Sequence, residues 1–168
     1  MFILFLGDMM KKILEFVLLI IVSLTLNGCG CSKKKDKEII TTCSLISDQS
    51  ASGYKLETEY KIYSKKDIVT KIKSKTTIAS EQEQVLKRFE EDYKKQYEKN
   101  KNTYGGYDYD LKINKDTLVL NLSIDYSKYD MNKFVEDNVA MKEYVDKDNK
   151  FTLEGAKKYY NSVGANCK

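Results

Sequence analysis

The chain has 168 residues, of which 29 are basic and 25 acidic, and it contains no histidine. This length suits one domain. A net charge of +4 is too small for a nucleic-acid-binding surface, and without histidine neither a Ser-His-Asp nor a Cys-His catalytic arrangement can form.

The N-terminus has the plan of a signal peptide. Lys11 and Lys12 precede an apolar stretch that runs from Phe16 to Leu26, as the positive and hydrophobic regions of a signal peptide do. This stretch is shorter than the ~20 apolar residues of a membrane-spanning helix. The sequence therefore predicts a cleaved signal peptide over residues 1–28, and an uncleaved anchor is the alternative.

The end of this segment, "LNGC", resembles the lipobox of bacterial lipoproteins. That motif has an aliphatic residue, here Leu26, three positions before the cleaved bond, a small residue, here Gly28, directly before it, and then an obligatory cysteine. The resemblance implies that Leu26, Asn27 and Gly28 are recognition residues and that the Cys29 thiol receives a diacylglycerol before the chain is cut. An ordinary signal peptide followed by a chance cysteine is the alternative.

Lipidation of Cys29 implies a location at the cell membrane, on its extracytoplasmic side, with the bilayer as partner. A diacylated cysteine carries two acyl chains, which suffice for stable anchoring. The lysine-rich stretch that follows predicts a flexible tether over residues 29–42. One domain is then expected over residues 43–168.

Export changes what the remaining cysteines mean, because disulfides persist outside the cytoplasm. Cys43 and Cys167 stand at the two ends of the expected domain, and a bond between them would fasten both ends; two buried free thiols are the alternative. Cys31 has no evident partner. No metal site or cofactor is expected, since a Cys-x-Cys pair without further Cys or His lacks the four ligands of structural zinc.

A β-hairpin is predicted after the first cysteines. Residues 54–63, "YKLETEYKIY", alternate apolar and charged side chains, and residues 68–78 repeat the alternation after the turn "SKKD". The acidic side chains on its outer face would lie near the lysines of the other strand, so that opposite charges pair across the hairpin. The alternative is that the lysines form a basic strip that binds a ligand. These charges are Glu57, Glu59, Lys71, Lys73 and Lys75.

A long helix is predicted next. Ser80 and Glu83 have the spacing of a capping box, and apolar residues then recur every three to four positions until "YGGY" at residues 104–107 ends the pattern. Its apolar stripe is interpreted as core packing against a sheet. The stripe consists of Val85, Leu86, Phe89, Tyr93 and Tyr97.

The remaining third predicts a second hairpin and more helices. Residues 107–113 and 118–126 alternate around the turn "NKD". Asp130 can cap a helical segment that extends to Tyr144, "DKDNK" at residues 146–150 reads as a turn, and Thr152 starts a last helix. The predicted class is α+β, with an antiparallel sheet of two hairpins packed on one face by a long central helix and C-terminal helices.

With these elements placed, the chain resembles the YehR-like family of small bacterial lipoproteins, a domain of unknown function. The resemblance rests on the lipobox, the long charged helix and three stretches, and it covers about residues 43–168. It implies an α+β fold and a cell-envelope location, and it supplies no catalytic or ligand residues. The stretches are "SGYKLETEYKIYSKKDIV", "YDYDLKINKDTLVLNLSIDYSKYD" and "TLEGAKKYYNSVGA".

No enzyme activity is expected, since each Asp and Glu has an equally good role as a cap, a turn or a solvated strand face. The first choice for a contact surface is Tyr104, Tyr107 and Tyr109 around Gly105 and Gly106, because loops that hold aromatic side chains on a rigid scaffold often bind ligands. Packing at the edge of the core is the alternative for these tyrosines. Two functions remain open: a non-catalytic binding or accessory module at the membrane surface, holding an envelope protein or a small ligand, and a structural envelope lipoprotein without a ligand.

Overall fold

The structure is a computed structural model that describes residues 37–168. The predicted signal-peptide residues Leu26, Asn27 and Gly28, the predicted lipidation residue Cys29, and Cys31 lie outside the described residues. Among residues 37–168, no helix has the length and apolar character that crossing a bilayer requires.

Six strands form one antiparallel sheet in the order β4-β5-β3-β2-β1-β6. The two predicted hairpins are β2–β3 and β4–β5, and the helices pack on one face of this sheet, so the α+β class is confirmed. The strands are β1 (Ile39–Gln49), β2 (Tyr54–Lys65), β3 (Ile68–Ala79), β4 (Tyr107–Asn114), β5 (Thr117–Asp125) and β6 (Asn166–Cys167).

The two faces of the sheet follow from the alternation in the sequence. On β2, Ile62 is buried while Lys61 is exposed, and on β3 the same holds for Ile72 and Lys73. Successive side chains on a strand point to opposite faces, so the apolar set forms an inner face under the helices. Thr58 and Thr76 also lie on that inner face, and their hydroxyls bond each other at 3.0 Å.

The strand β1 was not predicted. It begins at Ile39, within residues 29–42, for which the sequence predicts a flexible tether. Apolar residues on both of its faces hide the period of two: Cys43 is buried on the inner face, whereas Ile40 and Ile46 are exposed. The two-residue strand β6 is too short to leave any periodic signal.

The long central helix, α1 (Glu83–Tyr104), lies over β3, β4 and β5. Its stripe is core packing as predicted, with Leu86 buried against Ile78 and Leu118. The predicted capping box is wrong, because the residue before the helix is Gln82 and its side chain makes no capping bond. The hydroxyl of Ser80 instead donates to the Gly53 carbonyl at 2.7 Å and accepts from the Gln82 amide at 3.1 Å, which holds the corner between β3 and α1.

The C-terminal helical region covers the other half of the inner face. It contains α2 (Met131–Asp137), a 3-10 segment (Val139–Tyr144) and α3 (Leu153–Ser162). The predicted helical segment from Asp130 to Tyr144 is therefore interrupted at Asn138, whose side-chain amide bonds the Phe134 carbonyl at 2.9 Å. Thr152 caps α3 as expected, because its hydroxyl accepts from the Gly155 amide at 2.9 Å.

The disulfide that the sequence predicts between Cys43 and Cys167 is present. The two cysteines stand directly opposite each other in the short β1–β6 pairing, and Cys43 is fully buried. The bond joins residues 124 positions apart. It thus fastens the first strand of the domain to the last.

Candidate functional site

The hydroxyls of two predicted contact tyrosines bond to the protein itself. Tyr104 donates to Asp137 Oδ2 at 3.1 Å, and Tyr109 donates to Glu98 Oε1 at 2.7 Å. Tyr104 ends α1, whereas Tyr109 lies on β4 with its ring 5.6 Å from that of Tyr97 on the helix. These side chains join the helix to its neighbours, so they match the alternative of core-edge packing better than an open contact loop.

The glycines between these tyrosines allow a close crossing of two backbone segments. Gly105 and Gly106 both have a φ of +69°, a conformation that side chains disfavour. A Cβ on Gly106 would lie 2.7 Å from the Asp125 carbonyl oxygen, and one on Gly105 would lie 2.8 Å from that of Lys128. The "YGGY" stretch is therefore a packed crossing beside the segment after β5.

Behind this crossing lies a cluster of aromatic rings centred on Tyr129. The ring centroid of Tyr107 is 5.6 Å from that of Tyr129, and that of Tyr104 is 5.7 Å away. Tyr126 and Phe134 approach the same ring at 5.4 and 5.5 Å. Burial raises the pKa of Tyr129 and Tyr107 above the usual value, so both phenols stay neutral and able to donate hydrogen bonds well above physiological pH.

A cleft opens in front of this aromatic cluster, and we take it as the candidate functional site. Its volume is about 390 Å³. The floor is apolar and buried, with Val69 3% exposed, Phe151 4% exposed and Tyr129 8% exposed. The full lining consists of Ile68, Val69, Thr70, Tyr126, Ser127, Tyr129, Asp130, Met131, Asn132, Asp148, Asn149, Lys150 and Phe151.

The rim of the cleft is polar and comes from the start of α2 and the loop of residues 146–150. Asn149 Nδ2 donates to Asn132 Oδ1 at 2.8 Å and so links the two sides. Within residues 37–168, the carboxylate of Asp148 and the ammonium of Lys150 form no side-chain hydrogen bond or ion pair with the protein. They remain available to a ligand.

The turn of residues 146–150 holds one side of this rim in place, as its sequence predicted. Asp146 Oδ1 accepts from the amides of Asp148 at 2.9 Å and Lys150 at 2.8 Å, and Asn149 takes a φ of +56°, which asparagine tolerates. No group of three or more potential metal ligands comes together in residues 37–168.

The cleft lies at the end of the sheet where the chain enters the domain. Val69 in its floor pairs with Ser64, and Ser64 pairs with Ile39, the first residue of β1. Neighbouring strands are about 4.8 Å apart, which puts Ile39 roughly 10 Å from Val69 across the sheet. The first strand of the domain therefore begins near the cleft.

Comparison with solved structures gives the fold a precedent. The NMR structure of the YehR protein of E. coli matches with a TM-score of 0.53 and 17% identity, over 79% of this chain and 92% of that chain. The described domain has a YehR-like fold. An NMR structure of a protein from Streptococcus pneumoniae TIGR4 also matches, with a TM-score of 0.45 and 13% identity over 80% of this chain and 87% of that chain. No model of a known protein family matches the sequence, and no curated protein does.

Proposed function

We propose that this chain is a lipid-anchored, non-catalytic binding module of the cell envelope, and that the cleft holds its ligand. The observation that carries the proposal is the combination of a buried apolar floor with free polar groups at the rim. Small-molecule sites are typically concave and largely apolar, with a few polar groups that orient the ligand.

The dimensions of the cleft favour a small ligand over an extended protein partner. A volume of about 390 Å³ lies at the lower end of the ~300 to 1,000 Å³ range of small-molecule sites. The floor residues Val69 and Phe151 belong to the main hydrophobic core, which fixes their positions. A ligand in the cleft would thus meet a floor that is already formed.

The proposed anchor comes from the sequence, through the resemblance of "LNGC" to a lipobox, which places a diacylglycerol on Cys29. From Cys29 to Ile39 the chain can extend at most about 35 Å. The domain would then stay close to the extracytoplasmic surface of the membrane, where an envelope-derived ligand is available.

Site-specific photo-crosslinking in cells tests the binding proposal. A photoreactive amino acid replaces Asn132 at the rim in one strain, and in the control strain it replaces Lys95 on the exposed side of α1. We expect a discrete adduct from the rim position only. No adduct at Asn132, or the same adducts at both positions, would contradict a binding cleft and favour a structural envelope lipoprotein without a ligand.

A further inference from the structure

The second face of the sheet, which we call the outer face, carries none of the helices α1, α2 and α3 of residues 37–168. These helices all pack on the inner face. Charged side chains at the centre of β2 and β3 stand open on this face. They include Lys55, Glu57, Glu59, Lys61, Lys73 and Lys75.

A strip of lysines runs along the middle of the outer face. Lys71, Lys73 and Lys75 alternate on β3, and Lys61 of β2 stands directly opposite Lys73. Like charges directly opposite each other destabilise an antiparallel pair. The folded domain keeps this arrangement although it lowers stability.

The predicted charge match across this hairpin does not account for the strip. Glu59 is in register with Lys75, but its carboxylate pairs with Lys61 of its own strand, at 3.2 Å. Glu57 stands opposite Thr77, which is neutral. Within the described part of the chain, no ion pair joins a carboxylate to the three β3 lysines.

Exposed aliphatic side chains lie beside the lysines on the same face. Ile40 and Ile46 of β1 are 55% and 75% exposed, and their partners on β2 are Tyr63 and Glu57. Since Tyr63 and Glu57 share the outer face with Lys61, so do the two isoleucines. The β1–β3 half of this face therefore combines free lysines with open apolar side chains.

The opposite edge of the outer face is acidic. Asp108 and Asp110 lie on the edge strand β4, and Asp125 of β5 stands opposite Lys71. The strand β4 is two places from the lysines of β3 and four places from β1 in the sheet, which corresponds to roughly 10 and 19 Å. The outer face is thus polarised, with its basic and apolar half on the side where the chain enters the domain.

We propose that the β1–β3 half of the outer face docks onto the anionic surface of the bilayer that holds the anchor. The inference rests on the proposed lipidation of Cys29, which keeps Ile39 at the start of β1 within about 35 Å of the membrane. Lysine stems and isoleucines suit the interfacial region, and the ammonium groups are attracted to anionic headgroups. The domain then lies against the membrane with β1 nearest to it and the acidic edge furthest away.

Lysine labelling of the anchored protein tests this orientation. The lipidated chain is reconstituted into vesicles of phosphatidylglycerol or of phosphatidylcholine, treated with an amine-reactive ester and analysed by mass spectrometry. On phosphatidylglycerol we expect Lys71, Lys73 and Lys75 to react at least fivefold more slowly than on phosphatidylcholine, and 0.5 M salt should abolish the difference. Lys95 and Lys99 of α1, on the other side of the sheet, are internal controls and should react equally on both.

A pair of matched variants checks the cause of the protection. Lys73→Gln/Lys75→Gln should weaken docking about fivefold for each lysine removed, which is measured as restored reactivity of Lys71. Lys95→Gln/Lys99→Gln should leave that reactivity protected. Both substitutions lie on exposed positions, so both proteins should fold.

Three outcomes would overturn the docking proposal. One is equal reactivity of the strip on the two kinds of vesicle, and another is protection that survives both lysine substitutions. Protection that follows protein concentration and ignores lipid charge would assign the face to a second copy of the chain. A missing lipid anchor gives a different result from missing docking, because the protein would then not co-float with either kind of vesicle.

Discussion

Loss of the disulfide between Cys43 and Cys167 should reduce the stability of the domain strongly. The bond closes a loop of 124 positions, and the chain-entropy model gives a contribution of about 5 kcal/mol for a loop of that size. Domains of this kind have total unfolding free energies of about 5–15 kcal/mol. A large part of the stability therefore depends on one bond between the first and the last strand.

Urea denaturation with and without a reductant measures this contribution. The protein carries Cys29→Ala and Cys31→Ser so that only the two strand cysteines can pair, and reduction changes no side-chain volume in the buried site of Cys43. We expect the unfolding free energy to fall by about 3–5 kcal/mol on reduction. A loss below about 1 kcal/mol would contradict this expectation, since it would mean that the bond to β6 contributes little to the stability of the domain.

Four further substitutions test how the inner face is packed. Gly155→Ala should destabilise by about 2 kcal/mol, although alanine favours a helix, because its Cβ would overlap the Tyr144 carbonyl oxygen; a more stable variant in urea denaturation would contradict this packing. The Ser64 hydroxyl is buried and has no hydrogen-bond partner in residues 37–168, so Ser64→Ala should stabilise by about 1 kcal/mol, whereas Thr58→Ala should destabilise by a similar amount. Burial raises the pKa of Tyr160 above its unfolded value near 10. The contribution of the neutral phenol to the unfolding free energy is therefore complete below pH 10 and is lost as the pH rises further. Tyr160→Phe should therefore reduce the fall of the unfolding free energy above pH 10 by about 1.4 kcal/mol per pH unit, and an unchanged pH dependence would contradict the role of burial.

The hairpins and the long helix were predictable because each has a solvated side and a buried side. Residues 54–63 alternate without a break, and the stripe of α1 keeps the helical spacing from Val85 to Tyr97. The interruption at Asn138 was not visible, because the apolar residues on both sides of it keep a helical spacing. The spacing of apolar residues indicates which side of an element is buried. It does not indicate where a side chain, such as that of Asn138, forms a hydrogen bond with the backbone.

The cleft could not be predicted because its residues come from separate parts of the chain. Val69 follows a hairpin turn, Asn132 lies in the first turn of a short helix and Lys150 ends a loop. The pairing of β3 with β5 and the packing of α2 bring Asn132 to the cleft, and the bridge between Ile68 and Thr152 brings Lys150 there. The predicted contact tyrosines around the two glycines lie next to the cleft, since Tyr104 and Tyr107 contact Tyr129, which forms part of the cleft floor.

The most direct test of the proposed anchor is labelling of cells with a palmitate analogue. We expect that Cys29→Ala abolishes acyl labelling and releases the domain from the membrane fraction, whereas the matched control Cys31→Ala keeps both the label and the membrane association. An acylated or membrane-bound Cys29→Ala protein would contradict the assignment of Cys29 as the lipidated residue, and with it the account of this chain as a lipid-anchored module.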